Sequence, residues 1–177
     1  GLLMEILSTG EKIRKARIKK SMTLKELCGK EISVSKMSTI ENDKVQAEDW
    51  ILELVSKRLG ISTESLKKDM VEEIEDELTK LSLEPYSKGY EREIRSLIEV
   101  TEENNLLSQA FNARVQLINH YILKHKIDKL NVEISHLYRT FINVVNQETM
   151  YLYFLTMSKY LFATEEYKNA LAFLNYL

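Results

Sequence analysis

Three histidines, one cysteine and one acidic run are the residues of this chain best suited to catalysis or metal binding. His120, His125 and His136 do not fall into a His-Glu-x-x-His helix, and no cysteine pair stands beside them to complete a zinc site. Each reads as a surface or packed histidine. Cys28 is the only cysteine, which excludes an internal disulfide framework and any multi-cysteine metal site. It points to a reducing compartment and, inside an apolar pattern, behaves as a small hydrophobe. The run Glu72-Glu73-Ile74-Glu75-Asp76-Glu77 reads as a solvated helix face. There is no glycine-rich phosphate loop and no Gly-x-Ser-x-Gly elbow. These residues predict no enzyme, no cofactor and no metal.

The remaining chemistry is recognition. Net charge is −2 over 177 residues, but it is unevenly spread. Residues 1–47 carry ten lysines and arginines against six acids, and residues 71–177 carry eleven against sixteen. A basic head on an acidic body suits a head that meets a polyanion. Within the head, Ser33 and Ser35 are both able to cap a helix that runs to Asn42. Val34, Ser35, Lys36 and Thr39 would be its exposed residues, and Met37 and Ile40 its buried side. Valine can touch a thymine methyl, serine and threonine can bond a base or a phosphate, and lysine suits guanine or phosphate. Arg14, Lys19, Lys20, Lys25 and Lys44 are further candidates for phosphate contact; the alternative for each is a solvated cation.

The elements that position these residues are helices. One proline and five glycines leave few turn signals, which argues against many short strands and for an all-α chain. Hydrophobic residues make up 44% and charged residues 29%, the balance of a globular protein. At this length folding removes roughly 70% of the unfolded surface from water, so a core forms without staples. No stretch reaches the roughly 20 apolar residues of a membrane span, and no signal peptide is visible, so a cytoplasmic protein is expected. Gly1–Leu3 reads as a cloning scar before a native Met4.

Five short helices are predicted in the head. Thr9 precedes a basic run in which Ile13, Ala16 and Arg17 share a face. Thr23 and Glu26 form a capping box ahead of Leu24, Leu27 and Cys28. Glu48-Asp49 opens a fourth helix carrying Trp50, Ile51, Leu54, Val55 and Leu59, which Gly60 ends as a left-handed cap. Ser62 begins the fifth. Met70, Ile74, Leu78 and Leu81 then form the apolar face of a linker helix before Pro85 and Gly89. The expected divisions are the basic helical head over 1–68, a linker over 69–88 and a second helical region over 89–177.

In that last region two apolar stripes predict core helices. One joins Leu107, Ala110, Phe111, Ile118, Tyr121 and Ile122; the other joins Ile127, Leu130, Ile134, Leu137, Tyr138, Phe141 and Val145. Met150–Leu161 and Tyr167–Leu177 form a final pair. The apolar pattern is still running at Leu177, which reads as the front part of a longer protein or an end packed on a partner. Asn112, Gln116 and Asn119 lie at i, i+4 and i+7 beside the first stripe, and Arg139, Asn143 and Asn146 lie at the same spacing beside the second. Asparagine both donates and accepts, so two such rows facing inward would make one wall of a peptide clamp, with Arg139 for a carboxylate. Facing outward, both are solvated surfaces.

Four segments in order resemble the helix-turn-helix of the Cro/repressor (XRE) family. They are Gly10-Glu11-Lys12-Ile13-Arg14-Lys15-Ala16-Arg17, Met22 to Cys28, Ile32 to Asn42, and Leu59 to Leu66. The resemblance implies that Arg17 and Glu41 form an internal salt bridge. It also implies a DNA contact near the start of the second helix, where many members have glutamine and this chain has Leu24 beside Lys25. The spacing Phe154-x-x-Met157-Ser158-x-x-Leu161, then Tyr167-x-x-Ala170-x-x-x-Leu174, resembles a tetratricopeptide repeat, a hairpin of about 34 residues. Together the two parts resemble the Rgg/PlcR/NprR (RRNPP) peptide-pheromone regulators. This implies a dimeric transcription regulator of a Gram-positive bacterium, bound to double-stranded DNA and controlled by a short imported peptide in the concave repeat groove, where groove asparagines hold the ligand. Two other readings stay open: a protein-interaction adaptor whose head has lost DNA binding, and a phage-type repressor or antitoxin without a peptide ligand.

Overall fold

In a computed structural model, residues 5–177 are described, apart from the side chains of Tyr167 and Lys168. Gly1–Met4, read as a scar and start, and the Tyr167 side chain of the repeat pattern lie outside the described residues. The chain is all-α. The helices are α1 (Thr9–Lys19), α2 (Leu24–Cys28), α3 (Val34–Glu41), α4 (Asp49–Leu59), α5 (Thr63–Lys67), α6 (Met70–Leu83), α7 (Tyr90–Glu103), α8 (Leu107–Leu123), α9 (Ile127–Phe141), α10 (Gln147–Ala163) and α11 (Tyr167–Leu174). They fall into two compact units, Glu5–Glu73 and Ile74–Leu177.

Side-chain caps set the helix starts of the head. Ser8 caps α1, so Thr9 is already helical rather than preceding the helix. Thr23 caps α2 by accepting from the Glu26 N–H, which is one half of the expected capping box. Ser33, not Ser35, caps α3 by accepting from the Lys36 N–H, and Ser62 caps α5. Gly60 closes α4 in the left-handed conformation. The core holds Ile13, Leu27, Cys28, Met37, Ile40, Ile51, Val55, Leu59 and Leu66. Trp50 is not part of it: it is 50% exposed in the first turn of α4, while Leu52 is buried instead.

The second unit is built from hairpins with one recurring turn. After α7, α8 and α10 the chain makes the same three-residue connection, with Asn105, His125 and Glu165 at φ of 55°, 55° and 65°. In each, the N–H after the left-handed residue returns to a carbonyl five residues back: Leu106 to Thr101, Lys126 to Tyr121 and Glu166 to Leu161, at 2.8, 2.9 and 2.7 Å. This is a Schellman closure made without glycine. The α9–α10 connection differs: Asn146 and Thr149 cap α10 reciprocally. Consequently α9 stops at Phe141, and Val145, expected on its core stripe, lies in the connection and is 55% exposed. Tyr138 is 54% exposed as well. Phe141 does face the core, stacked at 4.1 Å on Tyr153.

One buried carboxylate ties three hairpin helices together. Glu133 of α9 receives Arg114 of α8 at 2.8 Å and Arg95 of α7 at 3.3 Å. Tyr121 donates to Glu91 at 2.7 Å, and Lys129 donates to the same oxygen at 2.9 Å. Burial alone would raise the Glu91 carboxyl. The hydrogen bonds from Lys129 and Tyr121 and the charges of Lys129 and Lys126 outweigh it and hold the group at about 2.

Candidate nucleic-acid interface and peptide groove

In the head, α2 and α3 form the two helices of a helix-turn-helix, with α3 second. Its inner side is fixed by Met37 and Ile40, both buried. Its last residue is fixed by charge: Arg17 Nε lies 2.8 Å from Glu41 Oε2 and Nη2 lies 3.0 Å from Oε1, while Nη1 donates to the Met22 carbonyl at 2.8 Å. This two-pronged bond to the carboxylate raises the guanidinium pKa above its ordinary value. All of these bonds lie inside the head.

The exposed side of α3 begins at Val34 and Ser35. Two of the expected contact residues are already engaged. Lys36 Nζ donates to Glu48 Oε1 at 2.7 Å, and this bond lowers the Glu48 carboxyl below its ordinary value. The Thr39 hydroxyl donates to the Lys36 carbonyl at 2.6 Å, so it meets a partner as an acceptor. Lys25 on α2, Arg14 and Lys19 on α1, Lys20 at its end and Lys44 after α3 are all exposed. In the sequence Glu48 is legible only as part of the acidic start of α4, beside Asp49, and its bond to Lys36 is not.

In the second unit, α6, α8 and α10 line one groove of about 510 Å³. Asn112, Gln116 and Asn119 all reach it, joined by Glu75, Leu78, Thr79, Ser82, Val115 and Leu152. The Gln116 amide is engaged: it donates to the Leu78 carbonyl at 3.0 Å and accepts from the Tyr90 hydroxyl at 3.4 Å. Among the described residues, the side-chain amides of Asn112 and Asn119 have no hydrogen-bond partner. The second expected row does not exist as one helix face. Arg139 is on α9, Asn143 follows that helix and bonds its own chain at the Arg139 carbonyl, and Asn146 is consumed in capping α10. None of the three is among the residues lining the groove. The sequence missed Glu75, Thr79 and Ser82, although they repeat the i, i+4, i+7 spacing of the α8 row.

His120 is buried, stacked on Tyr90 at 4.6 Å between ring centres. His125 is an exposed turn residue. Among the described residues no group of three or more His, Cys, Asp or Glu could hold a metal ion, and no helix is long and apolar enough to cross a membrane.

A helix-turn-helix head joined in sequence to helical hairpins thus defines the chain. No protein-family model matches it. It is 27% identical over 152 residues to the transcriptional activator NprA of Geobacillus stearothermophilus, covering 80% of this chain and 35% of that protein. The chain therefore spans about a third of the length of that curated relative. Among solved structures it is similar to Bacillus thuringiensis PlcR in complex with the peptide PapR7 and DNA, at 17% identity and a TM-score of 0.40 over 96% of this chain and 66% of that one. It is also similar to ComR from S. thermophilus in complex with DNA and its signalling peptide ComS, at 15% identity and a TM-score of 0.33 over 95% and 91%. A third is the Streptococcus dysgalactiae SHP pheromone receptor Rgg2, at 12% and 0.34 over 96% and 93%.

Proposed function

We propose that this chain is a cytoplasmic, sequence-specific DNA-binding transcription regulator that acts as a homodimer and is controlled by a short peptide. The observation that carries the reading is α3: its inner side is locked by Met37, Ile40 and the Arg17–Glu41 bond, and its first turn is exposed. One such helix reads one half-site, so a dimer reads an inverted repeat with half-sites about one helical turn, or a multiple, apart. Ser35 and Lys36 read bases or phosphates, Val34 meets a thymine methyl, and Lys25, Arg14, Lys19, Lys20 and Lys44 hold phosphates. The likeness to the transcriptional activator NprA supports the same reading. In the second unit the open amides of Asn112 and Asn119 suit the backbone of an extended peptide, which offers donors and acceptors whatever its side chains.

The Lys36–Glu48 ion pair favours a second reading, an adaptor whose head no longer reads DNA, because it neutralises the lysine of α3. An operator selection from random duplexes, repeated across a salt series, separates the two. A regulator enriches an inverted repeat and loses affinity steeply with salt, as neutralised phosphates release counterions. Replacing Ser35, Lys36 and Thr39 together with alanine removes the sequence preference, whereas Glu48→Gln tightens binding. An adaptor enriches nothing with any of these chains.

A further inference from the structure

The groove on α6, α8 and α10 carries a charge that the amide row does not explain. Among the residues that line it, Glu75 is the only charged side chain, and the rest are hydroxyls, amides and three aliphatic residues. Glu75 is exposed, and its Oε1 accepts from the Gln109 amide at 3.2 Å, which sets the carboxylate beside the first turn of α8. Asn112 follows on α8 toward the groove's middle and Asn119 lies two turns further along. The groove thus has a carboxylate beside the first turn of α8, then two amides without side-chain partners further along that helix, with Leu78, Val115 and Leu152 among the other lining residues. Arg139, the cation that the sequence suggested for a ligand carboxylate, is elsewhere.

We propose that this groove takes a peptide polarised by charge, with a cationic group seated on Glu75 and the following backbone held by Asn112 and Asn119. The proposal rests on the peptide reading above and adds the sign and place of the charge. A carboxylate at the end of a concave site directs its field into the groove, which attracts a cation and rejects an anion. The shared chemistry is an ammonium or guanidinium, supplied by the peptide's own N-terminus or by a lysine or arginine near it.

The test is affinity selection of a random heptapeptide library by the full 177-residue chain, in two pools, with free and acetylated N-termini. Enrichment of cationic over acidic peptides by tenfold or more, lost in Glu75→Gln while that variant still selects peptides, supports the proposal. A tenfold preference corresponds to about 1.4 kcal/mol. Loss of binding in the acetylated pool assigns the cation to the N-terminus; retention with lysine or arginine enriched assigns it to a side chain. Raised salt weakens the preference in either case. Peptides selected equally whatever their charge, or acidic peptides enriched, overturn the proposal and leave the peptide groove standing, provided that Asn112→Ala weakens selection. No peptide enriched by the wild-type chain overturns both.

Discussion

Asp43 holds the chain at Gly10. Its Oδ1 accepts from the Gly10 N–H at 3.0 Å, and its Oδ2 accepts from the Ser8 hydroxyl at 2.5 Å. Asp43 sits in the left-handed turn that closes α3, so the end of α3 caps the start of α1. The contact is close enough that a β-carbon at Gly10 would lie 2.4 Å from the Ile40 carbonyl and 2.6 Å from the Glu41 carbonyl. Both are backbone atoms and neither can swing away. Gly10→Ala should therefore destabilise the head by about 1–3 kcal/mol, as overpacking does. Denaturant unfolding followed by Trp50 fluorescence checks this; an unchanged midpoint would show that α1 shifts freely.

Arg17→Ala should cost more. It removes one partner of a pair whose carboxylate is 5% exposed, leaving Glu41 charged and partly enclosed. Losses of about 3–5 kcal/mol follow when such a pair is broken. The head's melting midpoint should fall before base preference changes. A variant of undiminished stability that fails to bind DNA would instead make Arg17 a contact residue.

The glycine-free turns make a prediction of the opposite sign. A side chain in the left-handed conformation costs about 1–2 kcal/mol, part of which glycine returns through its freer unfolded chain. His125→Gly should stabilise the second unit by up to ~1 kcal/mol, and His125→Val should destabilise it. Asn105→Gly should change little, since asparagine tolerates this conformation. Thermal melts of the three variants give the order directly.

These turns also explain what was legible in the sequence. Ser33 and Ser62 are short hydroxyls ahead of apolar spacing, and both cap as their positions suggest. Met37 and Ile40 fall on the inward side of α3 by their spacing, whereas the pairing of Arg17 with Glu41 was legible only through the resemblance of the head to a repressor-type helix-turn-helix. The end of α9 had no such mark. The helix stops without glycine or proline, and the cap that starts α10 is Asn146 with Thr149, not serine or threonine with a later glutamate. The spacing of Asn143 and Asn146 therefore continued a helix that had ended. Trp50, one of the apolar residues carried by α4, is turned outward in the first turn of that helix. For the groove, the α8 row was visible, but its α6 wall needed the fold to bring Glu75, Thr79 and Ser82 opposite.

His120 makes stability depend on pH. Burial lowers its imidazole below the ordinary value near 6.5, and the charges of Lys124 and Lys126 act the same way. The Glu91 charge and a hydrogen bond with the Pro85 backbone oppose them without reversing the shift. Its Nδ1 has no hydrogen-bond partner, and Tyr90 and Tyr121 pack beside the ring. The unfolded chain thus binds a proton below about 6.5 that the folded chain accepts only at lower pH, so stability falls as pH drops through that window. Glu91, at about 2, stays charged there and contributes no slope. Denaturant midpoints at pH 7.5 and 5.5 should differ for the wild type and differ less for His120→Phe, which keeps the stack on Tyr90 but takes no proton. Equal slopes would place the acid sensitivity elsewhere.

Cys28 is sealed in the core of the head, and burial pushes its thiol pKa upward. No other sulfhydryl competes with it. A thiol-exchange reagent reaches it only through openings of the head. When closing outruns the reaction, the labelling rate is the opening equilibrium multiplied by the rate of an unprotected thiol. One sulfur atom thus serves as a clock for the head in native buffer. A duplex that clamps the head shut slows that clock by its occupancy, so the kinetics of a simple colour reaction report binding without a dye, a tag or a second mutation.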